Sequence, residues 1–183
     1  ELWSQCFNIE ETTDLSIPNG GLIGELPSEI GNLNNLTSLS LRNNQFTGDI
    51  PPEIGDLTNL THLFLYSNEL TGGIPESVGN LTNLTYLNLG DNQLTGEIPV
   101  EIGNLTNLTG LYLYNNKLTG EIPESVENLT NLTNFNLSYN ELTGVIPEEI
   151  CIQGDSSPSL YNNQLCPPYP DCGEGPITSE EEQ

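Results

Sequence analysis

One phrase recurs every 24 residues along most of this chain. It reads approximately LTxLxLxxNxLTGxIPxxIGNLTN, and its copies begin at Leu36, Leu60, Leu84, Leu108 and Leu132. A unit of this length cannot bury its apolar side alone, so each copy has to stack on its neighbours. The period therefore predicts an elongated solenoid, a single domain whose function resides on the surface that the stacked units expose.

Each copy contains one predicted strand, followed by residues with structural roles. Leu39 and Leu41 alternate with polar residues, which is the period of a strand with one buried face. Asn44 follows where the chain turns inward, and its amide can satisfy backbone groups that a buried turn would leave without partners. Gly48 of the TG step suits a backbone conformation closed to other residues, and the IP step fixes φ. We interpret these recurring residues as scaffold.

The residues LxxLxLxxNxLTGxIPxxIGNL resemble the plant-specific class of leucine-rich repeat, which occurs in receptor-kinase ectodomains and polygalacturonase-inhibiting proteins. The resemblance extends from about Thr12 to Cys166. It implies a leucine-rich repeat solenoid, a repeat fold of the α/β class with little regular helix. The expected form is a right-handed superhelix with a concave parallel β-sheet and a second short strand or 3₁₀ turn on its flank. The resemblance also implies binding by exposed side chains, and it does not imply a plant source.

Four segments are predicted along the chain. Residues 1–11 form an N-terminal capping segment, and residues 12–150 form six leucine-rich repeats, of which the first and last are degenerate. Residues 151–172 form a C-terminal cap with a vestigial seventh strand, which protects the open edge of the sheet. Residues 173–183 form an acidic tail that we expect to be a flexible linker or terminus.

The four cysteines lie outside the regular repeats. Cys151, Cys166 and Cys172 are candidates for structural disulfides, since the proline-stiffened CPPYPDC loop is of the kind that a disulfide closes. Cys6 lies on the order of 30 Å away at strand spacing, so we expect a free thiol or an intermolecular bond there. This cysteine usage favours an oxidising compartment, and we predict a secreted or cell-surface protein. Because the chain lacks methionine, Glu1 is not expected to be the translated start.

The charge balance excludes one class of partner. The chain carries 26 acidic and 2 basic residues, a formal net charge of −24, which repels nucleic acids and anionic membrane surfaces. We interpret the acidity chiefly as a solvated surface, although it also suits a cationic partner. No apolar run approaches the roughly 20 residues needed to cross a bilayer, so we predict no membrane insertion by this piece.

The outward positions of the predicted strands form the concave face, and in the middle repeats several of them are aromatic. Neighbouring strands lie about 4.8 Å apart, so these side chains would form one contiguous patch. Tyrosines exposed on a rigid sheet are common anchors for partners. We therefore predict a non-catalytic module that binds an extracellular protein, peptide or glycan. The predicted ligand-binding residues are Arg42, His62, Phe64, Tyr66, Tyr86, Tyr112 and Tyr114.

The sequence predicts neither catalysis nor a cofactor. His62 is the only histidine, no His, Asp or Cys spacing suits a metal, and no glycine-rich phosphate loop is present. Glu97 and Glu121 recur one repeat apart, which leaves open a glycosidase pair or a weak calcium site, but such a column is ordinarily solvated. We expect a protein that is not an enzyme and binds no metal.

Two alternative functions depend on other recurring or unmatched residues. Threonine columns that begin at Thr37 and Thr47 can order water, as in leucine-rich repeat proteins that bind ice. An unmatched Cys6 would allow self-association by head-to-tail contacts, which build a filament and hence an extracellular structural protein.

Sequons of the form Asn-x-Ser/Thr also recur, but the NLTNLT phrase generates most of them, so they indicate glycosylation no more strongly than structure.

Overall fold

The computed structural model describes residues 8–152, 158–171 and 178–183. Its strands are short and recur with the period of the sequence. They are β1 (Asp14–Ser16), β2 (Ile23–Glu25), β3 (Ser38–Ser40), β4 (Gln45–Thr47), β5 (His62–Phe64), β6 (Tyr86–Asn88), β7 (Thr95–Gly96), β8 (Gly110–Tyr112), β9 (Lys117–Leu118), β10 (Asn134–Asn136), β11 (Thr143–Val145) and β12 (Gln164–Cys166).

One six-stranded parallel sheet runs along the molecule, with the order β1-β3-β5-β6-β8-β10. Its register follows the repeat, since Leu39 pairs with Leu63 and Leu63 pairs with Leu87. Ser159 extends the ladder through a parallel bridge to Asn136. The prediction of one strand per repeat in a parallel sheet is therefore confirmed.

A 3₁₀ helix follows the IP step of each repeat, which is Leu26-Pro27 in the first repeat. The first five of these helices each begin after a proline in extended conformation, such as Pro51 with φ −65° and Pro75 with φ −68°. Successive 3₁₀ helices stack on one another along the solenoid. They are η1 (Ser28–Asn32), η2 (Pro52–Asp56), η3 (Glu76–Asn80), η4 (Val100–Asn104), η5 (Glu124–Asn128) and η6 (Glu148–Ile152).

Short parallel pairs form the flank between the sheet and the 3₁₀ helices. They are β2 with β4, β7 with β9 and β11 with β12. The TG step lies in this flank, and its glycines adopt positive φ, for example 72° at Gly48 and 67° at Gly72. A side chain is strained in that conformation, which explains why glycine recurs there.

The core is a continuous apolar stack between the sheet and the 3₁₀ helices. Leu39 and Leu41 of the sheet are 0% exposed, and Ile54 of η2 is 1% exposed. Each repeat covers the apolar side of its neighbour, so the core extends along the solenoid. Among the described residues, no helix is long and apolar enough to cross a membrane.

The recurring asparagine connects neighbouring repeats. The Nδ2 of Asn92 donates to the carbonyl oxygens of Leu89 at 3.0 Å and Leu65 at 3.1 Å, the latter one repeat earlier. The Oδ1 of Asn92 accepts from the backbone N–H of Leu70 at 3.1 Å. The prediction that this column is structural is confirmed. The equivalent residues are Asn44, Asn68, Asn116 and Asn140, and Asn163 makes the same bonds in a seventh copy.

The C-terminal part of the structure corrects the expectation for Cys166. Cys151 is disulfide-bonded, whereas Cys166 is an exposed free thiol, so the disulfide predicted at Cys166 is wrong. Strand β12 buries Leu165 and turns the side chain of Cys166 outward, because successive residues of a strand face opposite sides. Cys6 and Cys172 lie outside the described residues.

Residues 178–183 are not the free tail that the acidic composition predicted. Thr178 is only 2% exposed, and the side chain of Gln183 accepts from the backbone N–H of Leu165 at 3.3 Å. The backbone N–H of Asn162 also donates to the carbonyl of Glu182. These contacts place the end of the chain against the seventh copy.

Asn92→Ala is expected to lower the free energy of unfolding by about 2–4 kcal/mol, because it leaves several buried backbone groups without their partner. Urea denaturation followed by circular dichroism measures the change. Asn104→Ala is the matched control, because Asn104 is exposed, and its effect should stay within about 0.5 kcal/mol. Equal effects of the two substitutions would contradict the role of the asparagine column.

Candidate functional site

The register of the sheet aligns the predicted ligand-binding residues on one surface. We call the solvent-facing side of the six-stranded sheet the concave face. His62 pairs with Tyr86, and Tyr86 pairs with Gly110 in the next strand. In a second row, Phe64 pairs with Asn88, which pairs with Tyr112. Arg42, Tyr66 and Tyr114 follow these strands and belong to a third row.

The rings contact one another along and across the strands. The imidazole of His62 stacks on Tyr86, with centroids 5.5 Å apart and planes inclined by 10°. Phe64 lies 5.9 Å from His62 and meets Tyr66 edge to face at 6.5 Å. His62, Phe64, Tyr66 and Tyr86 therefore form one continuous surface of rings, each of them half-buried.

Arg42 is fixed at the edge of this surface. Its Nη1 donates to the hydroxyl of Tyr66 at 2.5 Å, and its Cζ lies 5.7 Å from the centroid of the Tyr66 ring. The side chain is exposed, and the guanidinium has further N–H groups beyond the one that Tyr66 accepts. A cation held in this way can donate to a carbonyl or carboxylate of a ligand that lies on the rings.

Two glycines on the concave face make room for the tyrosine rings. A Cβ at Gly90 would lie 2.5 Å from Cε1 of Tyr114. At Gly110 it would lie 2.7 Å from Cδ1 of Tyr86 and 2.9 Å from Cε2 of Tyr112. The rings therefore lie flat over bare backbone. The repeat pattern alone gives these glycines no role, although a glycine in or beside a strand is a signal of close approach.

An open depression of about 470 Å³ lies on the side of this face nearer the N terminus. Its serines and Asn88 offer polar groups beside the rings, which suits a ligand with both apolar and hydrogen-bonding parts. The lining residues are Ser16, Ser38, Ser40, Arg42, Phe64, Tyr66, Tyr86, Asn88 and Tyr112.

Asp91 is a further polar residue at the edge of the concave face. Partial burial, and then the charge of Asp91 and a hydrogen bond to its carboxylate, raise the pKa of Tyr114. The same carboxylate accepts from the Nδ2 of Asn115 at 2.7 Å and from the Oγ of Ser67 at 3.4 Å. These bonds hold the Tyr114 hydroxyl in place. Nothing in the sequence singles out Asp91, because the repeat shows nothing unusual at that position.

A second aromatic pair lies nearer the C terminus. Tyr139 and Tyr161 meet edge to face with centroids 5.2 Å apart, and both are exposed. Tyr139 has a φ of 56°, in a column where other repeats have asparagine, serine or aspartate.

Within the described ranges, no three His, Cys, Asp or Glu side chains cluster as metal ligands.

Family models match three stretches of the chain. One described as leucine rich repeat matches residues 34–94, one described as two copies of the leucine rich repeat matches residues 82–120, and a single-repeat model matches residues 131–152. Together they cover more than half of the chain. The chain belongs to the leucine-rich repeat family.

Solved structures of plant proteins resemble this leucine-rich repeat chain. The Arabidopsis receptor kinase HAESA, in complex with the peptide hormone IDA and the co-receptor SERK1, is 40% identical over 83% of this chain, with a TM-score of 0.79. Pollen receptor kinase 3 is 31% identical over 85% of this chain, with a TM-score of 0.78. A plant ice-binding protein is 37% identical over 79% of this chain, with a TM-score of 0.74.

The coverage of these proteins differs. This chain spans 26% of the HAESA chain, 47% of the ice-binding protein and 76% of the pollen receptor kinase structure. No curated protein sequence matches it. The likeness therefore applies to a part of the larger receptor and to most of the smaller one.

Gly90→Ala is expected to lower the pKa of Tyr114 toward the usual tyrosine value of about 10, because the new methyl group displaces the ring and reduces its burial. NMR titration of protein labelled at tyrosine Cζ measures this pKa. Gly73→Ala is the matched control, because a Cβ there meets nothing closer than 3.8 Å. An unchanged Tyr114 pKa in Gly90→Ala would show that Gly90 does not position the ring.

Proposed function

We propose that this leucine-rich repeat chain is a non-catalytic, secreted or cell-surface module that binds an extended peptide segment on its concave face. HAESA supports this proposal, because its structure contains a peptide hormone and the chain is 40% identical to it. The family likeness supports ligand binding in general. The choice of this face and of a peptide comes from the geometry of the side chains.

The observation that carries the proposal is the continuous surface of rings on the sheet. Aromatic side chains supply large contact areas with few rotatable bonds, and they dominate binding energy at many interfaces. Here the rings are already held by stacking, by the glycines beneath them and by hydrogen bonds to Arg42 and Asp91. Little ordering is therefore left to occur when a ligand binds.

The dimensions of the face suit an extended peptide. The rings extend from β5 to β8, and Arg42 adds the neighbouring repeat. Strands lie about 4.8 Å apart and an extended chain rises about 3.3 Å per residue, so a peptide crossing from Arg42 to the ring of Tyr112 would span about 14 Å, or roughly four to five residues. Its carbonyl groups would meet Arg42 and the serines of the depression.

The net charge of the protein predicts that the peptide is basic. A net charge of −24 attracts cationic ligands over a distance, so a basic peptide should associate faster than an acidic one. Arg42 is the local exception, and it suits an acceptor group at one end of the peptide. Binding of a basic peptide should weaken as salt concentration rises.

The test uses a displayed library of random peptides to select binders of the unmodified protein. Tyr66→Ala with Tyr112→Ala should reduce the affinity of the selected peptides at least tenfold, because two anchors are lost from half-buried positions without change to the core. Biolayer interferometry measures the affinity, and circular dichroism checks the fold.

Tyr139→Ala with Tyr161→Ala is the matched control, because it removes two tyrosines from outside the ring surface. This control should bind like the unmodified protein. Full affinity in the Tyr66/Tyr112 variant would move the binding site away from the concave face. Selection of a glycan rather than any peptide in a parallel glycan array would overturn the choice of ligand class.

Ice binding is a second candidate function, which the likeness to a plant ice-binding protein favours. The two threonine columns differ in the structure. Thr61 and Thr85 donate their hydroxyls to backbone carbonyls of the preceding repeat, so that column is committed to the fold. Thr71 and Thr95 of the other column are exposed on the flank. An ice-binding surface would therefore lie on the flank.

If the flank binds ice, the protein should inhibit ice recrystallisation and Thr71→Lys with Thr95→Lys should abolish the effect, because bulky charged side chains disrupt a flat hydroxyl array. Microscopy of annealed frozen solutions measures crystal growth. The Tyr66/Tyr112 variant serves as the control and should stay active. A lack of inhibition by the unmodified protein would eliminate this candidate.

A further inference from the structure

The structure divides the sequons of this chain into two columns. Each complete NLTNLT phrase contains two adjacent acceptor sequences, whose asparagines are three residues apart. We call the first of each pair an outer sequon and the second an inner sequon. The outer sequons begin at Asn80, Asn104 and Asn128, and the inner sequons begin at Asn35, Asn59, Asn83, Asn107 and Asn131.

The inner sequons are committed to the fold through both of their polar side chains. Asn83 donates its Nδ2 to the carbonyl of Thr58 at 2.9 Å, and Asn107 donates to Thr82 at 2.8 Å. The hydroxyl of Thr85, the third residue of an inner sequon, donates to the carbonyl of Thr61 at 2.9 Å. The equivalent bonds form at the other inner sequons. These contacts join each repeat to the one before it.

The side chains of the outer sequons are exposed to solvent. Asn80 is the last residue of η3, and Asn104 and Asn128 occupy the same position in η4 and η5. These asparagines are exposed, as are the threonines at the third position, Thr82, Thr106 and Thr130. Within the described part of the chain, none of these six side chains makes a hydrogen bond.

The sequon on the concave face is closed for a different reason. Asn136 is half-buried, and its Oδ1 accepts from the backbone N–H of Ser138 at 3.0 Å and from the Ser138 hydroxyl at 2.6 Å. Ser138 is 1% exposed, so its hydroxyl is inaccessible in the folded chain. A sequon requires a hydroxyl at its third position, and recognition therefore has to engage that group.

We propose that Asn80, Asn104 and Asn128 are the N-glycosylation acceptors of this chain, and that the inner sequons and Asn136 are not. The glycan donor is an oligosaccharide joined through pyrophosphate to a membrane lipid. A bond forms between the asparagine Nδ2 and C1 of the first sugar, while the bond from C1 to the pyrophosphate oxygen breaks. The amide loses one proton, and the lipid pyrophosphate is the leaving group.

The two columns differ in how far a glycan would disturb the contacts between repeats. A sugar on an inner asparagine replaces one amide hydrogen and has to fit where the side chain spans two repeats, which opposes the stacking of the chain. A sugar on an outer asparagine extends from the exposed end of a 3₁₀ helix into solvent. Glycans on the outer column would leave the concave face uncovered. The inference does not depend on the identity of the ligand that this face binds.

The test is secretion of the chain from a eukaryotic host, followed by enzymatic removal of the glycans in ¹⁸O-labelled water and mass spectrometry. Label should appear at Asn80, Asn104 or Asn128 and not at an inner sequon. Thr82→Ala with Thr106→Ala and Thr130→Ala removes the outer sequons without touching a hydrogen bond between repeats. This triple variant should be secreted without glycan.

Thr85→Val is the matched control, because it removes one inner sequon and a single bond between repeats. It should keep the glycan pattern of the unmodified protein. Label at an inner asparagine, glycan on the secreted triple variant, or a secreted unmodified protein without glycan would each overturn the proposal.

Discussion

The bonds of the buried asparagine column are the interaction on which the rest of the structure depends. Each asparagine donates to carbonyl groups in its own repeat and in the one before, and accepts from the flank of that earlier repeat. One side chain thus links the sheet to the flank and each repeat to its neighbour. Because these backbone groups are buried or part-buried, they need a partner within the fold, and the amide supplies both a donor and an acceptor.

The regular register that results brings single departures from the repeat together on the concave face. When residues 24 apart always pair, an aromatic residue in one repeat lies beside the residue at the same position of the next. His62 therefore stacks on Tyr86, although neither residue belongs to the repeating pattern. Gly110, in turn, leaves space that the ring of Tyr86 covers. The candidate site consists of departures from the repeat that the repeat itself brings together.

The sequence was sufficient to predict the fold and the rows of the concave face, because burial and register both follow from the period. It could not predict how the rings lie, since that depends on glycines one repeat away, as Gly90 lies beneath Tyr114. It missed Asp91, whose importance comes from contact with Tyr114. It was wrong at Cys166, because proximity to another cysteine in sequence does not determine which side of a strand the thiol faces.

Periodicity alone cannot distinguish residues that hold the fold together from residues whose side chains are exposed to solvent, because both recur with the same spacing. The threonines at 61 and 85 and those at 71 and 95 are equally regular, but the first pair donate to backbone carbonyls of the preceding repeat. The second pair are exposed, and Thr71 donates to the exposed carboxylate of Asp49 at 3.2 Å. The asparagines of the adjacent sequons divide in the same way. The hydrogen bonds to backbone carbonyls of the preceding repeat, rather than the spacing, mark the columns that hold the solenoid together.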